Sequence, residues 1–291
     1  MLVKHIGLVS QSKKVKPDDL MRGAAALQKQ VVRDFGPIWR TSGTVDAFGM
    51  LKDVPLGYWP VIIQDDIHES GAAGVHLDKG GQPYALVQYS PDWVLTSSHE
   101  VLEMLADPFG NRLVAGPSPK SGQGRVEFLV EVCDPSEAAE FGYTVNGLLV
   151  SDFYTPKFFD PLANSGTRYS YTGAIKKPRQ ILKGGYLSWH EPKSDHWWQA
   201  QWFSGNKISF ADLGKFTGKA SLRSWIDAQT ITPITTPSPS KGAKKANTMM
   251  LAMAVVAPAS ADAEPNEAEQ TAWADRLTAE IEAVKTETAK K

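Results

Sequence analysis

One short stretch of the chain gathers groups able to do acid–base or metal chemistry: Ser98-His99-Glu100-Val101-Leu102-Glu103-Met104-Leu105-Ala106-Asp107-Pro108. On a helical wheel with His99 at zero, Glu103 falls at about 40°, Asp107 at about 80° and Glu100 at about 100°. Val101, Leu102, Met104 and Leu105 spread over the other side. One face therefore packs into a core while the opposite stripe carries an imidazole and three carboxylates. Residues i and i+4 stand about 6 Å apart on one face, so His99 and Glu103 can grip a single metal ion. Glu100 points beside that pair, where a carboxylate can hold a metal-bound water. Asp107 lies two turns from His99, about 12 Å along the axis, too far to share the ion on a straight helix. It caps or orients instead, and a third ligand has to come from elsewhere in the chain.

The elements that must position these groups are readable on either side. The pattern predicts a helix over 95–106, with Thr and Ser cap candidates at 96–98 and a stop at Asp107-Pro108. Before it, QPYALVQYS (82–90) reads as a strand between Gly-Gly and Pro. After it, VEFLVEV (126–132) is strand-like and leads into Cys133 and Asp134. The acids Glu131 and Asp134 there either complete a site or mark a strand leaving the core. Further strands are expected at 1–10, 38–48, 59–66, around 143–151 and within the aromatic segment 184–205. Pro17-Asp18-Asp19 opens a helix to about Asp34, with Leu20, Ala24, Leu27 and Val31 on one face and Gly36-Pro37 as its stop. A short helix is expected at 221–229. The fold class is α+β, with a mixed sheet.

The chain has 291 residues, a formal net charge of −1 and a single cysteine. Near-neutral charge gives no global field for nucleic acid. One cysteine allows no intramolecular disulfide and fits a reducing compartment. No apolar run reaches the roughly 18 residues of a membrane span. The N-terminus lacks the apolar core of a secretory signal, so the expected location is cytoplasmic, with non-classical export still compatible. Three regions follow: a body at 1–230, a Pro-, Ser-, Lys- and Ala-rich linker at 231–264, and a C-terminal amphipathic helix at 265–291. That helix spaces Trp273, Leu277, Ile281 and Val284 by 4, 4 and 3, a narrow stripe that docks on the body or pairs with a partner helix.

A helix, mixed strands, and then an HE-bearing helix behind an extended strand resemble the zincin metallopeptidases. More specifically, Ser98, His99, Glu100, Glu103, Asp107, Pro108, Glu131, Asp134, Tyr143 and Val145 match the pattern of the atypical HExxE relatives. That pattern runs Ser-His-Glu-x-x-Glu, Asp-Pro, a later Glu-x-x-Asp, then Tyr-x-Val. The likeness covers about 80–155 by motif and about 1–230 by layout. It implies a zincin-like domain with an active-site helix and one zinc ion. His99 and Glu103 would be ligands, Glu131 the third ligand with Asp134 close behind, and Glu100 the general base. Three departures stand out. Glu103 occupies the place of the usual second histidine, and Phe109 that of the metzincin third ligand. The Glu-x-x-Asp pair follows a strand where gluzincins use a helix.

The implied function is zinc-dependent hydrolysis of peptide bonds in a peptide or protein substrate. Another possibility from a different class is an inactive zincin-fold binding or assembly module, its tail facing the partner. A third is a metal hydrolase acting on something other than peptides. His76, Tyr89, Tyr143, Tyr154 and Arg112 are candidate donors to a developing oxyanion. His5, His68, His76, His190 and His196 show no ligand spacing with one another and are expected to be structural, with His76 lying near the proposed edge strand. Cys133 is expected as a small buried residue beside the acids. Trp189, Trp197, Trp198 and Trp202 alternate as a core face would, more than as a binding platform.

Overall fold

The computed structural model describes residues 2–69, 72–218 and 221–230, together with Thr271, Ala272, Asp275, Thr278 and Ala279. The linker 231–264 and the stripe residues Trp273, Leu277, Ile281 and Val284 lie outside the described residues.

Among the described residues, two five-stranded sheets, a two-stranded hairpin and several helices make an α+β architecture. The first sheet is built from β1 (Val3–Ser10), β2 (Ser42–Phe48), β3 (Tyr58–Gln64), β4 (Gly74–Lys79) and β5 (Gln82–Gln88), in the order β2-β1-β3-β5-β4. Its first four members in that order run parallel, and β4 alone is antiparallel, hairpinned to β5. Parallel strands are covered on both faces and read as continuous apolar runs. Val61, Ile62 and Ile63 of β3 are all fully buried, with Ile62 facing one apolar cluster and its two neighbours the other.

Helix α1 (Pro17–Lys29) lays Leu20, Ala24 and Leu27 on this sheet, with Pro17 at its start and Asp18 and Asp19 in the first turn, where they complement the helix dipole. Gly36-Pro37 does not stop the helical path as expected. The chain widens into a π-turn over Gln30–Phe35 and continues as α2 (Gly36–Trp39), because Pro37 sits at the start of this new turn, where it lacks no needed donor. Arg40, at φ 51°, ends it. The strand expected over 38–48 accordingly begins only at Ser42.

Helix α3 (Trp93–Ala106) carries the acidic motif and packs against β5 and the hairpin. The second sheet, antiparallel throughout, has the order β12-β11-β10-β7-β6. Its strands are β6 (Leu113–Pro117), β7 (Arg125–Leu129), β10 (Tyr186–Glu191), β11 (His196–Gln201) and β12 (Ser209–Gly214), and a small hairpin pairs β8 (Tyr143–Val145) with β9 (Leu148–Val150). Trp189 and Trp197 are buried, and Trp198 and Trp202 pack on the core at its edge, so this cluster is core. Helix α4 (Leu222–Asp227), capped by Ser221, buries Ile226 against Leu129 and Trp197. No helix among the described residues is long and apolar enough to cross a membrane.

Candidate metal centre

The apolar side of α3, with Val101, Leu102, Met104 and Leu105, is buried in the main core, as the wheel requires. Its other side is not solvated either. Glu100, Glu103 and Asp107 are each 2% exposed or less, because elements from both sheets close over them. Ser98 accepts a hydrogen bond from the Ser151 amide at 2.7 Å, which fixes the first turn of the motif. Asp107 accepts one from the Arg112 amide at 2.6 Å and so shapes the turn after the helix, apart from the candidate metal ligands.

After β7 the chain leaves the sheet and turns back towards α3 through a 3-10 turn at Asp134–Ser136. The Cys133 amide donates to Glu103 Oε1 at 3.2 Å and pins this segment to the helix. Gly185 permits the approach. A Cβ there would sit 2.5 Å from the Asp134 carbonyl oxygen, so only glycine lets β10 come this close.

The result is a tight set of donors. His99 Nε2 lies 3.4 Å from Glu103 Oε1 and 3.1 Å from Asp134 Oδ1. One donor atom from each of the three residues fits within a 4.8 Å circle of mutual distances. Neither oxygen of Asp134, nor Glu103 Oε2, makes a well-aligned hydrogen bond among the described residues. Buried carboxylates left in that condition are costly unless a charge compensates them. One nitrogen and two carboxylate oxygens suit a divalent cation such as zinc, so the residues present fit the ion.

Glu131 is placed differently. Its carboxylate pairs closely with Arg223 Nη1 and accepts from Ser188 Oγ at 3.2 Å, and it is not in the donor set around His99. The structure brings Asp134, rather than Glu131, against His99 and Glu103. Glu100 faces the edge strand β4, and Gly74 makes room for it. A Cβ on Gly74 would meet Glu100 Oε1 at 2.5 Å.

Electrostatics follow from crowding. Burial disfavours the charged imidazole of His99, but the carboxylates of Glu103 and Asp134 outweigh it and hold its pKa well above the usual histidine range. Burial would raise Glu103, yet His99 and Arg223 hold it well below the carboxylate range. Glu131 goes the other way. Its burial, with Asp134 and Glu103 as like-charged neighbours, outweighs Arg223 and raises it well above the normal value. Burial likewise raises the pKa of Asp227 to about 6 despite its pairing with Arg223 at 3.0 Å.

One participant was not singled out in the sequence, and another was expected in a different role. Arg223, from α4, is buried with Nη1 3.2 Å from Glu103 Oε2 and 3.5 Å from Asp134 Oδ2. His76, expected to be a structural histidine, is buried on β4 with Nδ1 3.6 Å from Glu100 Oε2 and 3.5 Å from Glu103 Oε2. The strand expected to edge the site, 82–90, is one position further in. β4 forms the edge, because the turn at Gly80-Gly81, both at positive φ, folds it back along β5.

A cleft of about 260 Å³ opens onto His99 and Glu100, bounded by β4, the start of α3, Glu137, Tyr186, Phe203 and α4. Of the five expected oxyanion donors only Tyr89 lines it. Tyr143 donates to Asp34, Arg112 to the Ala106 carbonyl, and Tyr154 and His76 are buried outside the cleft wall. No protein family, curated protein or solved structure matches the chain.

Proposed function

We propose that the chain is a metal-dependent hydrolase with a zincin-like domain, cleaving peptide bonds with zinc held by His99, Glu103 and Asp134. The contact of His99, which lines the cleft, with both carboxylates at 3.4 and 3.1 Å supports this most directly. When bound, zinc polarises a carbonyl and makes its water acidic enough to attack near neutral pH.

The chain's own groups supply the rest. Glu100 borders the cleft beside His99, placed to take the water's proton and pass it to the leaving amine. β4, the edge strand of its sheet among the described residues, lies along the same cleft, where an extended peptide can add to the sheet. Tyr186, Phe203 and Leu95 exclude water from the floor. Two carboxylate ligands leave the ion less electrophilic than two imidazoles would, so turnover is expected to be slow or confined to activated substrates.

A second possibility, a non-catalytic module, draws support from Arg223, whose buried guanidinium already touches Glu103, Glu131 and Asp134. Metal analysis of the purified full-length chain, with a broad peptide-digestion screen of wild type and Glu100→Gln, separates the two. A hydrolase holds at least one zinc per chain, and Glu100→Gln keeps the ion beside His99 but loses roughly 10²–10⁴-fold in rate. Metal-free protein, or equal rates in both, rules the proposal out.

A further inference from the structure

Glu103 offers its two oxygens to two different histidines. Oε1 faces His99 Nε2 at 3.4 Å, while Oε2 faces His76 Nδ1 at 3.5 Å. His76 is 2% exposed, and neither of its ring nitrogens makes a hydrogen bond among the described residues. Glu100 Oε2, 3.6 Å from His76 Nδ1, is likewise without one. Buried imidazoles ordinarily have at least one nitrogen satisfied. Donor atoms of His76, Glu100 and Glu103 lie within 4.8 Å of one another, the same spacing as in the set around His99.

We propose that His76, Glu100 and Glu103 form a second divalent-cation site, joined to the first through Glu103 as a bridging carboxylate. It rests on the metal-hydrolase reading, since a bridge needs an ion on the His99 side. Charge supports it. Glu103, Glu131, Asp134 and Asp227 crowd around one guanidinium, that of Arg223, and Glu100 adds a further carboxylate beside His76. Even with Glu131 neutral, these acids outnumber that one guanidinium, and bound divalent ions offset the excess. One imidazole nitrogen and two carboxylate oxygens suit zinc or manganese. The chemical consequence is regulatory. A second ion on one oxygen of Glu100 makes its carboxylate a weaker base, so the first ion activates and the second inhibits.

The test is stoichiometry, which needs no substrate. The full chain, stripped with a chelator, is titrated with Zn2+ and its bound metal counted after gel filtration. Wild type is expected to take two ions and His76→Gln one. The second ion should weaken by more than the roughly 10–100-fold that loss of an outer partner of a ligand costs. One ion in both proteins, or two in both, overturns the second site and leaves the first standing. No ion in either removes the hydrolase reading beneath it. Should His76→Gln fail to fold, wild type loaded with two Mn2+ decides. A spin-coupled resonance from ions about 3.5–4 Å apart supports the bridge, and an uncoupled signal overturns it.

Discussion

The molecule buries two sets of acids and treats them in opposite ways. Asp34, on the π-turn after α1, accepts from Tyr143 at 2.9 Å and Tyr171 at 2.7 Å, and Arg33 grips both its oxygens at 2.5 and 2.8 Å. Every strong acceptor direction is used. Around Glu103 and Asp134 the acids outnumber their cations, and several oxygens have no hydrogen bond among the described residues. Both sets are buried to a similar degree, so burial alone does not distinguish structure from function. Satisfaction does. A buried charge with all its partners stabilises a fold, whereas one held without them destabilises it and persists where something else is bound.

Exchanging one charge in each set should break this comparison most visibly. Asp134→Asn should cost at least about 100-fold in zinc affinity, given how much free energy a full ligand set carries, while changing the stability of the metal-free chain by less than about 1 kcal/mol. Asp34→Asn should leave zinc affinity unchanged and cost about 2–3 kcal/mol, since it strips charge from bonds made to an ionised group. In thermal unfolding that is a fall in Tm of roughly 5–10 °C. Equal losses of stability in the two variants would show that the sets do not differ in kind.

Acid and base separate them next. The pKa of Asp34 is held below its usual value of 3.8, burial being outweighed by Arg33 and the two phenols. Its contribution to stability is present above that value and is lost as pH falls through the lower folded-state pKa. His76 is raised from 6.5 to about 9 in the metal-free protein, burial being outweighed by Glu100 and Glu103. Its contribution is complete below about pH 6.5 and is lost as pH rises through about 9. Unfolding scans of the chelated protein should therefore show an acid limb that Asp34→Asn flattens and an alkaline limb that His76→Gln flattens. Zinc should replace the proton and remove the alkaline limb, binding more weakly as pH falls.

The pattern His99-Glu100-x-x-Glu103 was legible because an i, i+4 pair is a local fact, fixed by helical geometry once the helix forms. The parallel core strands were equally plain from their apolar runs. His76 was expected as a structural residue or an oxyanion donor, although the sequence did carry a signal for its place. Gly80-Gly81 between two β-rich runs marks a two-residue hairpin, which pairs His76 with Ala85 and turns it towards α3. Arg223 left no such trace. It reaches Glu131 across 92 residues, and one basic residue in a short helix has no pattern that marks it as buried. The turn at Asp134–Ser136 was also hidden. A strand continued to residue 132 would have carried Glu131 forward, but the strand ends at Leu129 and the chain folds Asp134 inward instead.

The smallest predicted effect bears on the same pair of acids. Glu131 sits against Arg223 and Ser188, and its carboxyl is held well above the normal range by burial and by Asp134 and Glu103. A group that already favours its neutral form loses little when made permanently neutral. Glu131→Gln preserves shape and the acceptor for Ser188, so zinc affinity should stay within about threefold and stability within about 1 kcal/mol. Calorimetric zinc titration beside Asp134→Asn measures the contrast. If Glu131→Gln instead matches Asp134→Asn in lost affinity, the metal draws Glu131 away from Arg223 on binding, and the freed guanidinium then belongs to the oxyanion side of the cleft.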